Sequence, residues 1–365
     1  MKANKVLDSV KSYEAGKPIE LVVREFGIAP EAVVKLASNE NPIGTNPSVM
    51  RAISQSSHKA HLYPDDSMYE LKEALAAKYG LKESEIIIGA GSDQVLEFIA
   101  RTFLNDKSSV LMTQVTFAMY EIYARQMGAK IIRTPSYQHR VDEFIAAYGQ
   151  HKPEIVYICT PNNPTGDVIS REDVIKIIKS VDKEHTLVVV DGAYMEYAAA
   201  KEARHAISPK DILSYSNVIY LGTFSKAYGL GGMRVGYGIA NSALIQTLGK
   251  LRSPFNITTL SLVAAIEALK DEQFVTDSIT MHQEQIQRYE DFAKRRGVNY
   301  IDSYTNFITY LFDHKYDSTE VADRLLEQGV IIRNLASYGM NAIRITVGTP
   351  EQNDIFFQKF SEVIG

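Results

Sequence analysis

Lys226 lies in the run Thr223-Phe224-Ser225-Lys226-Ala227-Tyr228-Gly229-Leu230-Gly231-Gly232-Met233-Arg234. A lysine amine can bond covalently to a carbonyl cofactor, and an arginine can meet a phosphate with a forked pair of N–H donors. The same composition also describes a plain surface loop between two strands. Lys226 alone does not choose between these, so the other polar motifs must be set beside it.

Gly89-Ala90-Gly91-Ser92-Asp93-Gln94 falls where an apolar run hands over to a helical pattern. Backbone N–H groups of residues 91–94 and the helix dipole would hold an anion there, unless this is an ordinary strand-to-helix turn. Gln94 occupies the place of the last glycine that the dinucleotide fingerprint requires. Phe117, after Thr113-Gln114-Val115-Thr116, offers a ring face to a flat heteroaromatic group, or is a core aromatic. Two prolines and a glycine lock Cys159-Thr160-Pro161-Asn162-Asn163-Pro164-Thr165-Gly166, which fixes the Asn163 amide as donor and acceptor. Asp191 ends the apolar run Val188-Val189-Val190, where a carboxylate must be paired or serve as a helix N-cap. A protonated ring nitrogen is the candidate partner, with Tyr194 donating to a ring oxygen.

Pyridoxal phosphate uses all of these groups at once. Its aldehyde suits Lys226, its pyridine nitrogen Asp191, its ring hydroxyl Asn163 and Tyr194, and its ring face Phe117. Its phosphate suits the turn of Gly91, Ser92 and Asp93 together with Thr223, Ser225 and Arg234. Hydrogen bonds involving a charged group contribute roughly 1.5–3 kcal/mol each. Several of them would keep the cofactor in place while its bond to Lys226 is broken.

Apolar, β-branched runs predict strands at Glu85–Ile88, Ser109–Met112, Ala129–Arg133, Glu154–Cys159, Leu187–Val190, Val218–Leu221 and Val235–Ile239. Helical spacing at Met68–Tyr79, Asp93–Leu104, Ala118–Met127, Asp142–Tyr148 and Arg171–Ser180 falls between many of them. The alternation predicts an α/β fold whose large domain, residues 44–253, has a mostly parallel seven-stranded sheet sandwiched by helices. Ligands of such sheets sit at the carboxyl ends of the strands, where the candidate residues lie. Residues 1–43 read as an arm and part of a small domain, with a short amphipathic helix ended by Gly27 and an ordered loop over residues 37–42. Residues 254–365 read as a smaller α/β domain. It has one helical tract from Leu260 to Arg296, strands at Phe307–Phe312, Val330–Arg333 and Ala342–Val347, and helices at Thr319–Gln328 and Glu351–Ile364.

With 365 residues and 45% hydrophobic content, two domains can each bury a core. The net charge is -5 and the basic residues are scattered, which argues against nucleic acid as a partner. Cys159 is the sole cysteine, so neither an intrachain disulfide nor a cysteine-rich zinc site is available, and no metal site is expected. The first residues lack an apolar leader pattern, and no run of roughly 18 apolar residues occurs. A cytoplasmic, soluble protein without a membrane partner is expected.

Over essentially its whole length the chain resembles the fold type I pyridoxal-phosphate enzymes, and among them the histidinol-phosphate aminotransferase family. The resemblance rests on Ser38-Asn39-Glu40-Asn41-Pro42, Tyr63-Pro64, Gly91-Ser92-Asp93, Pro161 to Gly166, Asp191-Gly192-Ala193-Tyr194, Thr223 to Leu230, Ile332-Arg333 and Ile343 to Gly348. It implies that Lys226 bonds the cofactor, that Asp191 pairs with the pyridine nitrogen and that Asn163 and Tyr194 hold the ring hydroxyl. It implies that Phe117 stacks on the ring and that Tyr63 reaches the phosphate of a neighbouring subunit in a homodimer. Tyr13, Asn39, Arg333 and Arg344 match positions that handle substrate. Gly192 departs from a common Glu, and Gly222 from a common Arg.

The implied reaction is transamination between histidinol phosphate and 2-oxoglutarate, giving imidazole acetol phosphate and L-glutamate in histidine biosynthesis. An aromatic amino acid aminotransferase would share the cofactor residues, and a threonine-phosphate decarboxylase would share the phosphate-handling arginines. A nicotinamide-dependent dehydrogenase would explain the alternating sheet but not Lys226. A non-catalytic binding protein would leave the alignment of Asp191 and Asn163 unexplained.

Overall fold

The computed structural model describes residues 4–12 and 18–365. The large sheet consists of β1 (Ile86–Gly89), β2 (Ser109–Met112), β3 (Lys130–Arg133), β4 (Ile155–Cys159), β5 (Leu187–Asp191), β6 (Val218–Thr223) and β7 (Gly236–Ile239). They lie in the order β1-β7-β6-β5-β4-β2-β3. All neighbouring pairs are parallel except those of β7, which runs antiparallel to both β6 and β1. Every residue of β4, β5 and β6 is buried, because helices cover both faces. Successive residues point to opposite faces: Val188 and Val190 join Leu71, Phe144 and Ile177, whereas Val189 joins Leu96, Phe98 and Leu248. This is the mostly parallel seven-stranded sheet that the alternation predicts.

The small sheet is antiparallel throughout, in the order Arg333–Asn334, Ala342–Thr346, Phe307–Leu311, Asn299–Ile301. The strand expected over Val330–Arg333 is two strands. Val330–Ile331 pairs in parallel with Val34–Lys35, and Arg333–Asn334 pairs with the C-terminal strand, so Ile332 marks a change of partner. The first pairing ties the N-terminal segment to the small domain, aided by apolar contact among Val22, Val33, Ala37 and Ile331. The helix before it, Ile19–Phe26, stops at Gly27, whose φ of 68° suits a residue without Cβ.

The helical tract expected from Leu260 to Arg296 is also two elements, Thr259–Ala268 and Glu272–Arg296. Asp271 separates them: its side chain accepts a hydrogen bond from the Phe274 N–H at 3.2 Å and starts a new helix. The first of the two packs on the helices Pro47–Ser56 and Tyr69–Tyr79, and Leu262, Ala265 and Ala268 sit in the large-domain core. The second runs to the small sheet, with Ile286, Tyr289 and Phe292 in the small-domain core.

Candidate active site

Parallel strands bring their carboxyl ends to one edge, and the register there sets Asp191 of β5 beside Cys159 of β4 and Leu221 of β6. Lys226 follows β6, Asn163 follows β4, Phe117 follows β2 and Ser92 follows β1. Arg234 precedes the reversed strand β7, so it too lies at this edge. A cavity of about 480 Å³ opens here, and its lining includes Asn39, Gly91, Ser92, Asp93, Phe117, Asn163, Asp191 and Tyr194. Thr223, Ser225, Lys226, Arg234, Arg333 and Arg344 complete the set of expected residues that it brings together. Tyr63 is not among them: its ring is 82% exposed and stacks on Phe255 with centroids 4.6 Å apart. Tyr13 lies outside the described residues.

Asp191 is buried, and burial pushes its carboxyl pKa up. Two donors act against that. The Tyr120 hydroxyl donates to Oδ2 at 2.6 Å, and the Ala193 N–H donates to Oδ1 at 3.1 Å. Lys226 Nζ donates to the Asn39 carbonyl at 3.3 Å and lies 5.7 Å from the centre of the Tyr194 ring. Burial, then the charges of Arg344 and Arg234, draws its amine down to about 8.

Asn39 ties the cavity to the small domain. Its amide donates to the Tyr194 hydroxyl at 2.8 Å, and its Oδ1 accepts from Thr346 Oγ1 at 3.1 Å. Its N–H donates to the same Thr346 oxygen at 2.9 Å, and Asn306 Nδ2 donates to its carbonyl at 3.0 Å. The backbone holds a left-handed φ of 54°, which asparagine tolerates better than most residues. Arg344 donates to Asn163 Oδ1 at 2.5 Å and to the Ala37 carbonyl at 2.7 Å. Arg333 is its cross-strand neighbour, so the small sheet presents a pair of guanidinium-bearing residues to one cavity.

The groups present fit pyridoxal phosphate. The helix Gly91–Phe103 starts without a side-chain cap; the Gly91 N–H donates to the Arg234 carbonyl at 3.2 Å, which leaves the N–H groups of Ser92 and Asp93 in the first turn to meet an anion. A Cβ at Gly91 would stand 2.7 Å from a terminal guanidinium nitrogen of Arg234, so glycine leaves the room that this arginine occupies. The Thr223 and Ser225 hydroxyls lie 3.1 Å from each other on the same rim. Asp93 Oδ2 accepts from Tyr123 at 3.0 Å, while its Oδ1 is buried with no partner among the described residues. A buried carboxylate at the strand end suits a protonated ring nitrogen.

Sequence reasoning did not find Tyr120, Thr346 or Asn306. Tyr120 sits one helical turn after Phe117, and that spacing is the only local sign that both face the site. Gly192 and Gly222 also gain a reason. A Cβ at either would collide with a tyrosine ring, Tyr220 under the first and Tyr237 under the second. The space that a larger residue would take is filled by those rings.

Residues 31–360 match the sequence profile of the family described as aminotransferase class I and II. A histidinol-phosphate aminotransferase of Sulfurovum sp. (strain NBC37-1) is 71% identical, covering 100% of both chains. One from Aliarcobacter butzleri (strain RM4018) is 57% identical over 100% of this chain and 99% of its own. Among solved structures, histidinol-phosphate aminotransferase from Sinorhizobium meliloti, in complex with pyridoxal-5'-phosphate, superposes with a TM-score of 0.91 at 26% identity. It covers 100% of this chain and 97% of its own.

Proposed function

The chain belongs to the aminotransferase class I and II family, in its histidinol-phosphate aminotransferase branch, and on that footing we propose that it exchanges an amino group between histidinol phosphate and 2-oxoglutarate. The products are imidazole acetol phosphate and L-glutamate, in histidine biosynthesis. The cofactor is pyridoxal 5'-phosphate. What carries the reading is the meeting of Lys226, Asp191, Arg333 and Arg344 in one cavity, because both substrates bring an anion to the place where a lysine must act.

When bound, the cofactor supplies an aldehyde carbon that takes up the amino group and a pyridine ring that draws electron density from the substrate carbon. Lys226 is the base. With its amine drawn down to about 8, an appreciable neutral fraction near neutral pH can accept the proton from the substrate carbon that bears nitrogen, and the ammonium can return it. Asp191, whose oxygens accept from Tyr120 and Ala193 and so face the ring in a fixed orientation, meets the ring N–H. Tyr194 accepts from Asn39 and so keeps its own hydrogen for the ring oxygen, where Asn163 offers its Nδ2 while Arg344 occupies its Oδ1. The uncapped first turn at Ser92 and Asp93, with Thr223, Ser225 and Arg234, takes the cofactor phosphate. Arg344 offers a charged fork to the substrate anion, and Arg333 stands beside it.

Tyr63 is exposed and outside its own chain's cavity, which supports a homodimer where each Tyr63 completes the neighbouring site. No helix among the described residues is long and apolar enough to cross a membrane. Cys159 is buried and unpaired, as suits a reducing cytoplasm.

Purified enzyme is expected to use histidinol phosphate well ahead of phenylalanine and threonine phosphate. Absence of turnover with histidinol phosphate would sink the substrate assignment.

A further inference from the structure

A second cavity, of about 380 Å³, shares no lining residue with the first. It lies against the helix Met195–Lys201 and the first turns of the helix Glu272–Arg296. The rings of Tyr79, Tyr220 and Tyr228 form much of its wall, and Glu196 brings a carboxylate to it. Lys78 and Glu272 also line it and pair with each other at 3.2 Å. Glu196 forms no ion pair and no hydrogen bond to another side chain among the described residues; it meets only its own helix N–H and the charge of Lys78, which is itself paired with Glu272. The lining therefore carries one carboxylate without an ion-pair partner, set among phenol rings.

Glu196 is half-buried, and a carboxylate with that little water around it is costly to keep charged. Burial pushes Glu196 up to about 7, against its own helix N–H and the charge of Lys78. The neighbouring phenols Tyr79, Tyr220, Tyr228 and Tyr237 are pushed up by their own burial and stay neutral. Phenol rings beside a carboxylate are the chemistry that attracts an organic cation, whose charge meets the carboxylate while its body lies against the rings. Mineral cations would leave the apolar wall bare.

We infer that this cavity is a second small-molecule site, for an organic cation with a compact apolar or aromatic body. Lys226 and Asp191 line the first cavity and not this one, so the occupant takes no part in amino transfer. Occupant and active site are neighbours all the same: Tyr220 carries its hydroxyl into the space beneath Gly192, next to Asp191. The cavity also bridges the large domain and the helix that runs to the small one.

Benzyltrimethylammonium is the suitable probe, since a quaternary nitrogen cannot react with the cofactor at Lys226. Titration calorimetry of the holoenzyme at pH 7 is expected to give one site per chain. Because the cation favours the ionised carboxyl, binding releases about half a proton, read from the difference between buffers of unlike ionisation heat. Glu196→Gln should weaken binding by about tenfold or more, and neutral benzyl alcohol should bind as weakly to the unaltered enzyme. Thr276→Trp, on the exposed side of the lining, should block the cavity without changing its charge. Unchanged affinity in both variants, displacement of the probe by 2-oxoglutarate, or no binding at all would overturn the assignment.

Discussion

The Tyr120 hydroxyl donates to Asp191 Oδ2 at 2.6 Å, and the Tyr120 ring lies flat on Tyr157 with centroids 4.6 Å apart. The stack fixes the ring, so the donor is already aimed before any ligand arrives. Removing it leaves a buried carboxylate with one fewer donor, at a cost of about 1.5–3 kcal/mol.

Tyr120→Phe is therefore expected to raise the pKa of Asp191 and loosen the cofactor by about tenfold or more. Cofactor affinity by absorbance titration checks this. A merely structural role would lower the melting temperature and leave the affinity of the folded fraction unchanged.

Lys226 links the active site to stability. Its folded pKa, about 8, lies below the unfolded value of 10.5, so the unfolded chain binds the proton more readily. The apoenzyme should lose stability as pH falls from 10.5 to about 8 and remain at the lower level below that. Lys226→Met removes this cost and should stabilise the apoenzyme at pH 7 by on the order of 1–3 kcal/mol, discounted for contact with cavity water. Denaturant unfolding of the two apoenzymes measures the difference.

The same shift governs cofactor capture, which needs the neutral amine. Mixing apoenzyme with pyridoxal phosphate should give a capture rate that falls tenfold per pH unit below about 8, and Lys226→Ala should never develop the visible band removed by borohydride. A profile that breaks near 10.5 would contradict the lowered amine.

Arg344→Lys replaces a fork by a point charge and gives up one of the bonds to Asn163 and the Ala37 carbonyl. KM should rise for both substrates by about tenfold or more, with cofactor affinity nearly unchanged. Steady-state kinetics with each substrate varied in turn tests this.

A shared site can be tested by mixing. Lys226→Ala and Tyr63→Ala dimers should each be weak, whereas subunits exchanged at random should recover about a quarter of the unaltered activity, because half the dimers are hybrids with one intact site. No recovery after verified exchange would refute the contribution of Tyr63.

The sequence made Lys226, Asp191 and Asn163 legible because each stands in a turn whose prolines, glycines or abrupt polarity change mark the end of an apolar strand. It was silent on Tyr120, whose partner lies 71 residues away, and on Thr346, which meets Asn39 across 307 residues. Such pairings exist only once the sheet has formed. The long C-terminal tract misled because its apolar spacing continues through Lys270 and Asp271, and only the capping bond from Asp271 to Phe274 reveals the break. Val330 to Arg333 misled differently: β propensity says that a run is extended, not which neighbour it joins.

The tyrosines under Gly192 and Gly222 set the order in which substitutions can enter this chain. A glutamate at 192 has no room until residue 220 has become small, and the same holds for an arginine at 222 and residue 237. Either change must begin on the neighbouring strand, with a ring lost before a side chain is gained. Single steps in the opposite order pass through a collision with a buried ring, so the two members of each pair are sterically coupled.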